Sequence, residues 1–340
     1  MTINEAIKKV IERQHLTTDE AAAVLEQIMT GQCAEAQIAA LLTALRMKGE
    51  TVAELTGFAR VMRSKATAVR PRLINTDEAL VDTCGTGGDV SGSFNISTAA
   101  AFVVAACKVR VAKHGNRSVS SHCGSADVME ALGVKIELPI ERINACLDEV
   151  GISFLHAPLL HEAMKHVAPV RRQLGVRTIF NMLGPLTNPA GANCQVIGVF
   201  SPQLTEMFAH TLNDLGTRRA LIVHGSDGLD EITITGTTRL TELKDGEVKT
   251  REIHPEDFGL ACAVADQIKG GDARQNAEII RQILQGEKSS RRDIVLLNAA
   301  AALIAAGRAR DFSEGIRLAS EAIDTGAALA KLHQLIQFTQ

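Results

Sequence analysis

Through the first 70 positions apolar residues recur at helical spacing, and no stretch alternates as a half-buried strand would. Thr17 followed by Glu20 has the form of a capping box, in which each side chain satisfies a free backbone N–H of the other; it predicts a helix running to Met29 and closed by Gly31. A second helix is predicted over 34–48, where Ile38, Leu41, Leu42 and Leu45 share one face ahead of Gly49. Thr51 with Glu54 repeats the cap before a third helix to about residue 66, and Pro71 ends the block. Helices without strands must bury their apolar faces on one another or on a partner chain.

Near residue 78 the texture changes. Short β-like runs alternate with alanine-rich helical ones over 79–82, 98–107, 109–112, 126–132, 134–138 and 140–150, and again over 195–200, 205–215 and 219–223. That rhythm predicts a mainly parallel sheet flanked by helices. The threonine-rich, alternating stretch 233–251 predicts antiparallel strands; helices over 273–285, 291–306 and 313–325, with a shorter one after them, close the chain. The expected fold is α/β. A small all-helical N-terminal domain over 1–70, joined by some later helix such as 158–180, precedes a larger α/β domain over 71–340 with a mainly parallel central sheet.

Composition narrows the function classes. A net charge of −3 argues against nucleic acid as a bulk partner, so an anionic ligand must be held by a local site. The seven cysteines show no CxxC spacing, and their odd number suits reduced thiols in a cytoplasmic protein. No apolar run reaches the roughly 18 residues of a membrane span, and the longest, 294–306, reads as a buried helix. The start of the chain is polar and periodic, unlike a signal peptide.

Five segments carry chemistry. The run 82–89 (DTCGTGGD) follows an apolar strand, and its three glycines in four positions permit a tight turn with backbone N–H groups facing a ligand. It is neither a P-loop nor a dinucleotide fingerprint, and an ordinary glycine-rich turn would read the same. Asn95, Ile96, Ser97 and Thr98 open a helix, where hydroxyls and free amides suit phosphate but also serve as plain caps. The segment 113–121 (KHGNRSVSS), followed by Ser125, places two cations, an amide and several hydroxyls behind the strand 109–112, where α/β sheets bind ligands. Lys113 and Arg117 could neutralise phosphate there. In 161–178, His161 and His166 lie five apart and so cannot share a helix face as a metal pair, while Arg171 and Arg172 could fork a carboxylate or simply solvate a helix. Lastly, Asp230 and Glu231 are adjacent hard oxygen donors in a glycine-bearing turn, which suits Mg²⁺, although an acidic turn without an ion looks alike. Together these describe a site for a polyphosphorylated small molecule.

The segments CGTGGD (84–89), NIST (95–98), KHGNRSVSSHCGSAD (113–127), RTIFNMLGPLTNP (177–189) and DGLDE (227–231) resemble, in order and spacing, the anthranilate phosphoribosyltransferase family. The resemblance runs from the N-terminal to the C-terminal helices. It implies an active site between a small helical and a larger α/β domain, a homodimer formed through the helical part, and transfer of phosphoribose from phosphoribosyl pyrophosphate (PRPP) to the amine of anthranilate. It further implies that Gly85, Gly88, Asp89, Ser93, Asn95, Ile96, Ser97 and Thr98 hold PRPP, with Lys113, His114, Gly115, Asn116, Arg117, Ser118, Val119, Ser120, Ser121 and Ser125. Ser97, Asp230 and Glu231 would ligate Mg²⁺, and Gly85, Asn116, Arg171, His114 and His161 would meet anthranilate. Lys113, His114 and Arg171 would be the catalytic side chains. Val90 departs from the pattern, standing where many members have glycine. The chain would be the form without a fused amidotransferase, and the absence of Trp and Tyr would suit an enzyme made when tryptophan is scarce. Two rivals remain: a pyrimidine nucleoside phosphorylase-like enzyme, which has no need of the 227–231 acids, and a non-catalytic paralogue binding nucleotide or nucleic acid.

Overall fold

In the structure, a computed structural model, all residues are described except 73–77, 89–91 and 119–122. Helices α1 (Ile3–Ile11), α2 (Thr18–Met29), α3 (Glu35–Lys48) and α4 (Val52–Lys65) open the chain. Both anticipated capping boxes form, Thr17 accepting from the Glu20 N–H at 3.2 Å and Glu20 from the Thr17 N–H at 2.8 Å, with Thr51 and Glu54 matching them. Glu54 has a second task. Fully buried, it also accepts from the Leu16 N–H and from the Lys48 ammonium, each at 3.0 Å, so one carboxylate joins the entry to α2, the end of α3 and the start of α4. A buried ion pair is tolerated when further hydrogen bonds satisfy its remaining lone pairs, as here.

The alternating part runs β1 (Leu80–Gly85), α5 (Ile96–Ala106), β2 (Arg110–Gly115), α6 (Ser125–Ala131), α7 (Ile140–Glu149) and β3 (Ile152–His156), then short helices α8 (Ala157–Leu160), α9 (Ala168–Leu174) and α10 (Phe180–Leu183). It continues with β4 (Cys194–Gly198), α11 (Leu204–Asp214), β5 (Arg219–Gly225), the hairpin β6 (Thr238–Lys244) and β7 (Glu247–Ile253), and α12 (Ala273–Leu284), α13 (Ser290–Ala305), α14 (Phe312–Asp324) and α15 (Ala327–Thr339). The sheet order is β3-β2-β1-β4-β5-β6-β7, with β1 to β5 parallel and β6 and β7 antiparallel, as the alternation over 233–251 suggested.

Three elements differ from expectation. β3 was not anticipated: its five residues are all buried, so no alternation marks them. The run 134–138 forms no strand; its Val134 and Ile136 are apolar because they pack beneath helices. The last helix has 13 residues, as many as α14, rather than being shorter.

One sheet face packs on α5 and the C-terminal helices. On the other, Ile197, Ile222 and Leu243 share a single apolar cluster with α11, with Val167, Val170 and Phe180, and with the four N-terminal helices. Arg63 of α4 stitches this junction, donating to the Leu186 carbonyl at 2.6 Å and the Leu215 carbonyl at 3.2 Å. Burial lowers its pKa only to about 10, so it stays charged. Among the described residues no helix is long and apolar enough to cross a membrane.

Candidate active site at the strand switch

β1 and β4 are neighbours, but α5, which follows β1, packs on one face of the sheet, and α11, which follows β4, on the other. The loops leaving these two strands therefore part and open a crevice at their C-terminal ends, the place where open α/β sheets bind ligands. Four of the parallel strands end on glycine: Gly85, Gly115, Gly198 and Gly225. Without side chains there, the loop after β5 can lie on the strand ends. A Cβ on Gly198 would fall 1.4 Å from the Asp230 carbonyl oxygen, and one on Gly85 2.7 Å from Asp230 Oδ2.

Asp230 Oδ2 accepts the Gly87 N–H at 2.9 Å, and Glu231 Oε1 accepts the Ser97 N–H at 3.1 Å, at the first turn of α5. The paired carboxylates thus meet the glycine turn, with Gly87 and Gly88 at φ +67° and +78°, and the helix start. Asp230, Glu231 and the Ser97 hydroxyl form a hard-oxygen donor set with few protein ligands. That chemistry fits Mg²⁺, which takes its remaining ligands from water and substrate phosphates.

Beneath this rim lies a buried charged layer. Lys113, 2% exposed, donates from Nζ to the Thr83 carbonyl and to Ser97 Oγ, the latter at 3.3 Å. Burial pushes the ammonium pKa down, while the Asp82 carboxylate pulls it up. Asp82, wholly buried, accepts the His114 N–H at 3.1 Å and Asn188 Nδ2 at 2.8 Å; burial raises its pKa and Lys113 opposes the rise. Burial also drives the Cys84 thiol well above its ordinary value, keeping it protonated. His114 Nδ1 faces the Gly184 carbonyl at 3.2 Å and so carries the hydrogen, leaving Nε2 a bare acceptor. Its ring lies 5.2 Å from that of His161. Burial lowers the two pKa values to about 3 and about 4, so both imidazoles are neutral at pH 7.

The segment from α8 to α10 walls the crevice. Arg171 on α9 is half-buried with its guanidinium 5.7 Å from the Phe180 ring centroid, and burial lowers its pKa. Arg177 reaches the glycine turn itself, donating to the Gly88 carbonyl while lying 4.5 Å over the Phe200 ring.

Other expected residues are committed within the fold. Asn95 donates to the Cys123 carbonyl at 3.2 Å and accepts from Asn276 at 3.0 Å. Ile96 and Thr98 are buried, Ser93 bridges to Lys269, and Ser125 opens α6 with its hydroxyl 3.4 Å from the Asn116 carbonyl. Asn116 is exposed at the end of β2, and its Oδ1 accepts the Arg117 N–H at 2.7 Å. The Arg117 guanidinium is held by carboxylates, with Glu130 at 2.9 Å and Asp127 at 3.2 Å. Ser118 gives its N–H to Asp127 at 3.1 Å. Asp89, Val119, Ser120 and Ser121, and Val90 with them, lie outside the described residues. Asp82, Arg177 and Asn188 lie in segments singled out above but carried no expected role there, and Asn276 lies in none of them. For Asp82 a signal existed: a carboxylate inside an otherwise apolar strand.

Comparison with known proteins defines the class first. Residues 4–66 match the helical bundle domain, and residues 77–329 the a/b domain, of a glycosyl transferase family. An anthranilate phosphoribosyltransferase of Pelotomaculum thermopropionicum is 57% identical over 337 residues, covering 99% of this chain and 96% of the relative. The crystal structure of the Thermus thermophilus anthranilate phosphoribosyltransferase superposes with a TM-score of 0.92 at 44% identity, covering 98% and 99% of the two chains. That of Saccharomyces cerevisiae, in complex with PRPP and Mg, gives 0.90 at 26% identity over 99% and 97%, and the yeast enzyme has also been solved with 4-fluoroanthranilate. The chain belongs to the anthranilate phosphoribosyltransferase family.

Proposed function

We propose that the chain transfers the 5-phosphoribosyl group of PRPP to the amine of anthranilate, giving N-(5-phosphoribosyl)anthranilate and pyrophosphate. The observation that carries this reading is the meeting of Asp230 with Gly87 and of Glu231 with Ser97 at the strand switch. A metal-binding pair there touches both a backbone anion cradle and a helix N-terminus, the combination a diphosphate needs. A pyrimidine nucleoside phosphorylase has no use for that pair, and a net charge of −3 does not favour nucleic acid.

Anthranilate's aromatic amine is neutral at pH 7, so no strong general base is required. The C1–O bond to pyrophosphate breaks through a transition state of oxocarbenium character, the amine nitrogen bonds to C1 from the opposite face with inversion, and its surplus proton passes to solvent. Mg²⁺ held by Ser97, Asp230 and Glu231 would offset charge on the diphosphate. Lys113 and the amides of the glycine turn beyond those given to Gly198 and Asp230 stabilise that charge more as it develops than before. Arg171, with Asn116, grips the anthranilate carboxylate and so fixes the amine against C1. His114 and His161, both neutral, line the aromatic acid's approach without adding charge.

We also place a homodimer on the N-terminal helices, where Ile11 and Met47 are 66% and 72% exposed, and the protein in the cytoplasm, where cysteine thiols stay reduced. Following loss of anthranilate fluorescence with and without PRPP and Mg²⁺ tests the activity. Turnover without PRPP, or none with all three present, overturns it. Light scattering tests the dimer, and a monomeric mass rejects it.

A further inference from the structure

The segment 177–189 stands out in the sequence, yet the reaction above gives its first residue nothing to do. Arg177 is nonetheless the side chain through which the wall carrying Arg171 touches the glycine turn. It donates to the Gly88 carbonyl and lies over Phe200, its guanidinium carbon 4.5 Å from the ring centroid. Gly88 sits at φ +78°, where an L side chain is strained, and a Cβ there would fall 2.8 Å from the Arg177 guanidinium. Phe200, in the loop after β4, is itself anchored to the same turn, its N–H donating to Thr86 Oγ1 at 3.0 Å. The Thr86 N–H in turn donates to the Gly198 carbonyl at 2.9 Å.

We infer that Arg177 is a positioning residue for diphosphate: with Phe200 behind it, it holds the glycine turn in its anion-accepting form and links that turn to the acceptor wall. A glycine turn has many backbone states of similar energy, and ordering it costs free energy at the moment of binding unless something orders it beforehand. Asp230 fixes one side of the turn through the Gly87 N–H. Arg177 fixes the other through the Gly88 carbonyl, and because its acceptor is a carbonyl, it takes up no further N–H of the turn beyond those that Thr86 and Gly87 already give to Gly198 and Asp230. Stacking on Phe200 keeps the guanidinium plane from swinging away, a role lysine lacks the geometry to fill. Arg177 is also only six positions from Arg171, so a shift of the turn and a shift of the acceptor wall are coupled through a short piece of chain.

This inference rests on the proposed reaction, and the test separates the two. Wild type, R177Q, R177K and F200L are compared by titration calorimetry with Mg²⁺ and pyrophosphate, and by steady-state kinetics with PRPP and anthranilate varied in turn. R177Q is expected to bind pyrophosphate about tenfold more weakly and to raise the KM for PRPP by a similar factor, the equivalent of one well-made hydrogen bond. At saturating PRPP its KM for anthranilate should stay within about twofold of wild type. R177K keeps the charge and a donor but not the plane, and should fall between. F200L, which keeps the donor, should weaken pyrophosphate binding, and the R177Q/F200L double variant should be no worse than R177Q alone. If R177Q fails to fold, R177K and F200L carry the test. Unchanged pyrophosphate binding in both R177K and F200L overturns the inference, as does a loss in R177Q that falls on anthranilate rather than on PRPP. Wild type that binds pyrophosphate but never consumes anthranilate sinks the proposed reaction instead, and leaves the pyrophosphate comparison to judge Arg177.

Discussion

Replacing Gly85 with alanine adds one methyl group, and the structure says where it goes. The backbone at Gly85 does not need a positive φ, so alanine is conformationally acceptable there. Its Cβ, however, falls 2.7 Å from Asp230 Oδ2, whereas ordinary contact begins near 3.4 Å. The carboxylate must retreat by about 0.7 Å, the difference between those two values, and its 2.9 Å bond to the Gly87 N–H stretches out of range. A hydrogen bond to a charged acceptor contributes about 1.5–3 kcal/mol, so kcat/KM should fall by roughly 10- to 100-fold. The readout that isolates this cause is Mg²⁺ dependence. Anthranilate fluorescence followed across a Mg²⁺ titration at fixed PRPP should show half-maximal rate displaced upward about tenfold, with excess Mg²⁺ restoring part of the rate. The melting temperature should fall by only a few degrees, the share of that one bond in the fold, because Asp230 meets the new methyl through its side chain and can turn aside. Gly198→Ala is the contrasting control, its Cβ falling 1.4 Å from the Asp230 backbone oxygen, which cannot turn aside; that variant should fail to accumulate as folded protein. A G85A enzyme with wild-type rate and an unmoved Mg²⁺ optimum would refute the placement of the metal at Asp230.

Four further outcomes are expected. Arg171→Ala should raise the KM for anthranilate about 10- to 100-fold with little change in the KM for PRPP, and Arg171→Lys should not restore it, since lysine has no fork; equal anthranilate KM values reject the clamp. Asp230→Asn combined with Glu231→Gln should abolish Mg²⁺-stimulated turnover, and retention of full stimulation contradicts the metal assignment. Lys113→Met should lower kcat by about 100- to 1000-fold and also destabilise the fold, because Asp82 is left buried without its cation; kinetics and chemical denaturation read the two effects separately. Finally, His114 and His161, lowered to about 3 and about 4, bind protons more readily unfolded than folded. Their contribution is complete above about pH 6.5 and is lost as the pH falls toward 4, by about 1.4 kcal/mol per unit for each ring. The His161 ring hydrogen-bonds the Thr187 backbone; His161→Asn, whose amide can take that bond over, should flatten the decline in melting temperature from pH 6.5 to 5, and an unchanged slope shows that His161 is not its source.

Local signals in this chain were readable where the physics is local. Thr17 with Glu20 and Thr51 with Glu54 are three apart, and a capping box needs nothing more distant, so those helix starts fall where the pattern put them. The alternation over 233–251 marks an antiparallel hairpin and appears as β6 and β7, β7 being the outer, largely exposed strand. β3 carries no such mark, since a strand covered on both faces shows neither period. The site divides along the same line. Lys113 and Asp230 announce themselves as charges beside glycines, but Asn188 and Asn276 act 106 and 181 positions from their partners Asp82 and Asn95, and no spacing rule reaches that far. Arg117 is a further case: nothing within its hydroxyl-rich run announces Glu130 and Asp127, which the return of α6 brings against its guanidinium.

The glycines make the same point from the other side. Gly85, Gly115, Gly198 and Gly225 each close a strand, and none of the four is at positive φ. Turning is therefore not what they supply. At Gly85 and Gly198 the missing Cβ makes room for Asp230, at Gly115 for the Ser125 hydroxyl, which a Cβ would approach to 2.2 Å, and at Gly225 for the Asp227 carboxylate at 2.5 Å. Three of the empty positions lie under the single loop after β5, and the fourth under the start of α6; seated in this way, the loop after β5 carries Asp230 to the glycine turn and Glu231 to the start of α5. A side chain on any one strand end would displace its own loop, so the site depends on all four ends being bare together. That is a condition on the assembled sheet, visible only once the register Gly85↔Gly198 sets two of them side by side.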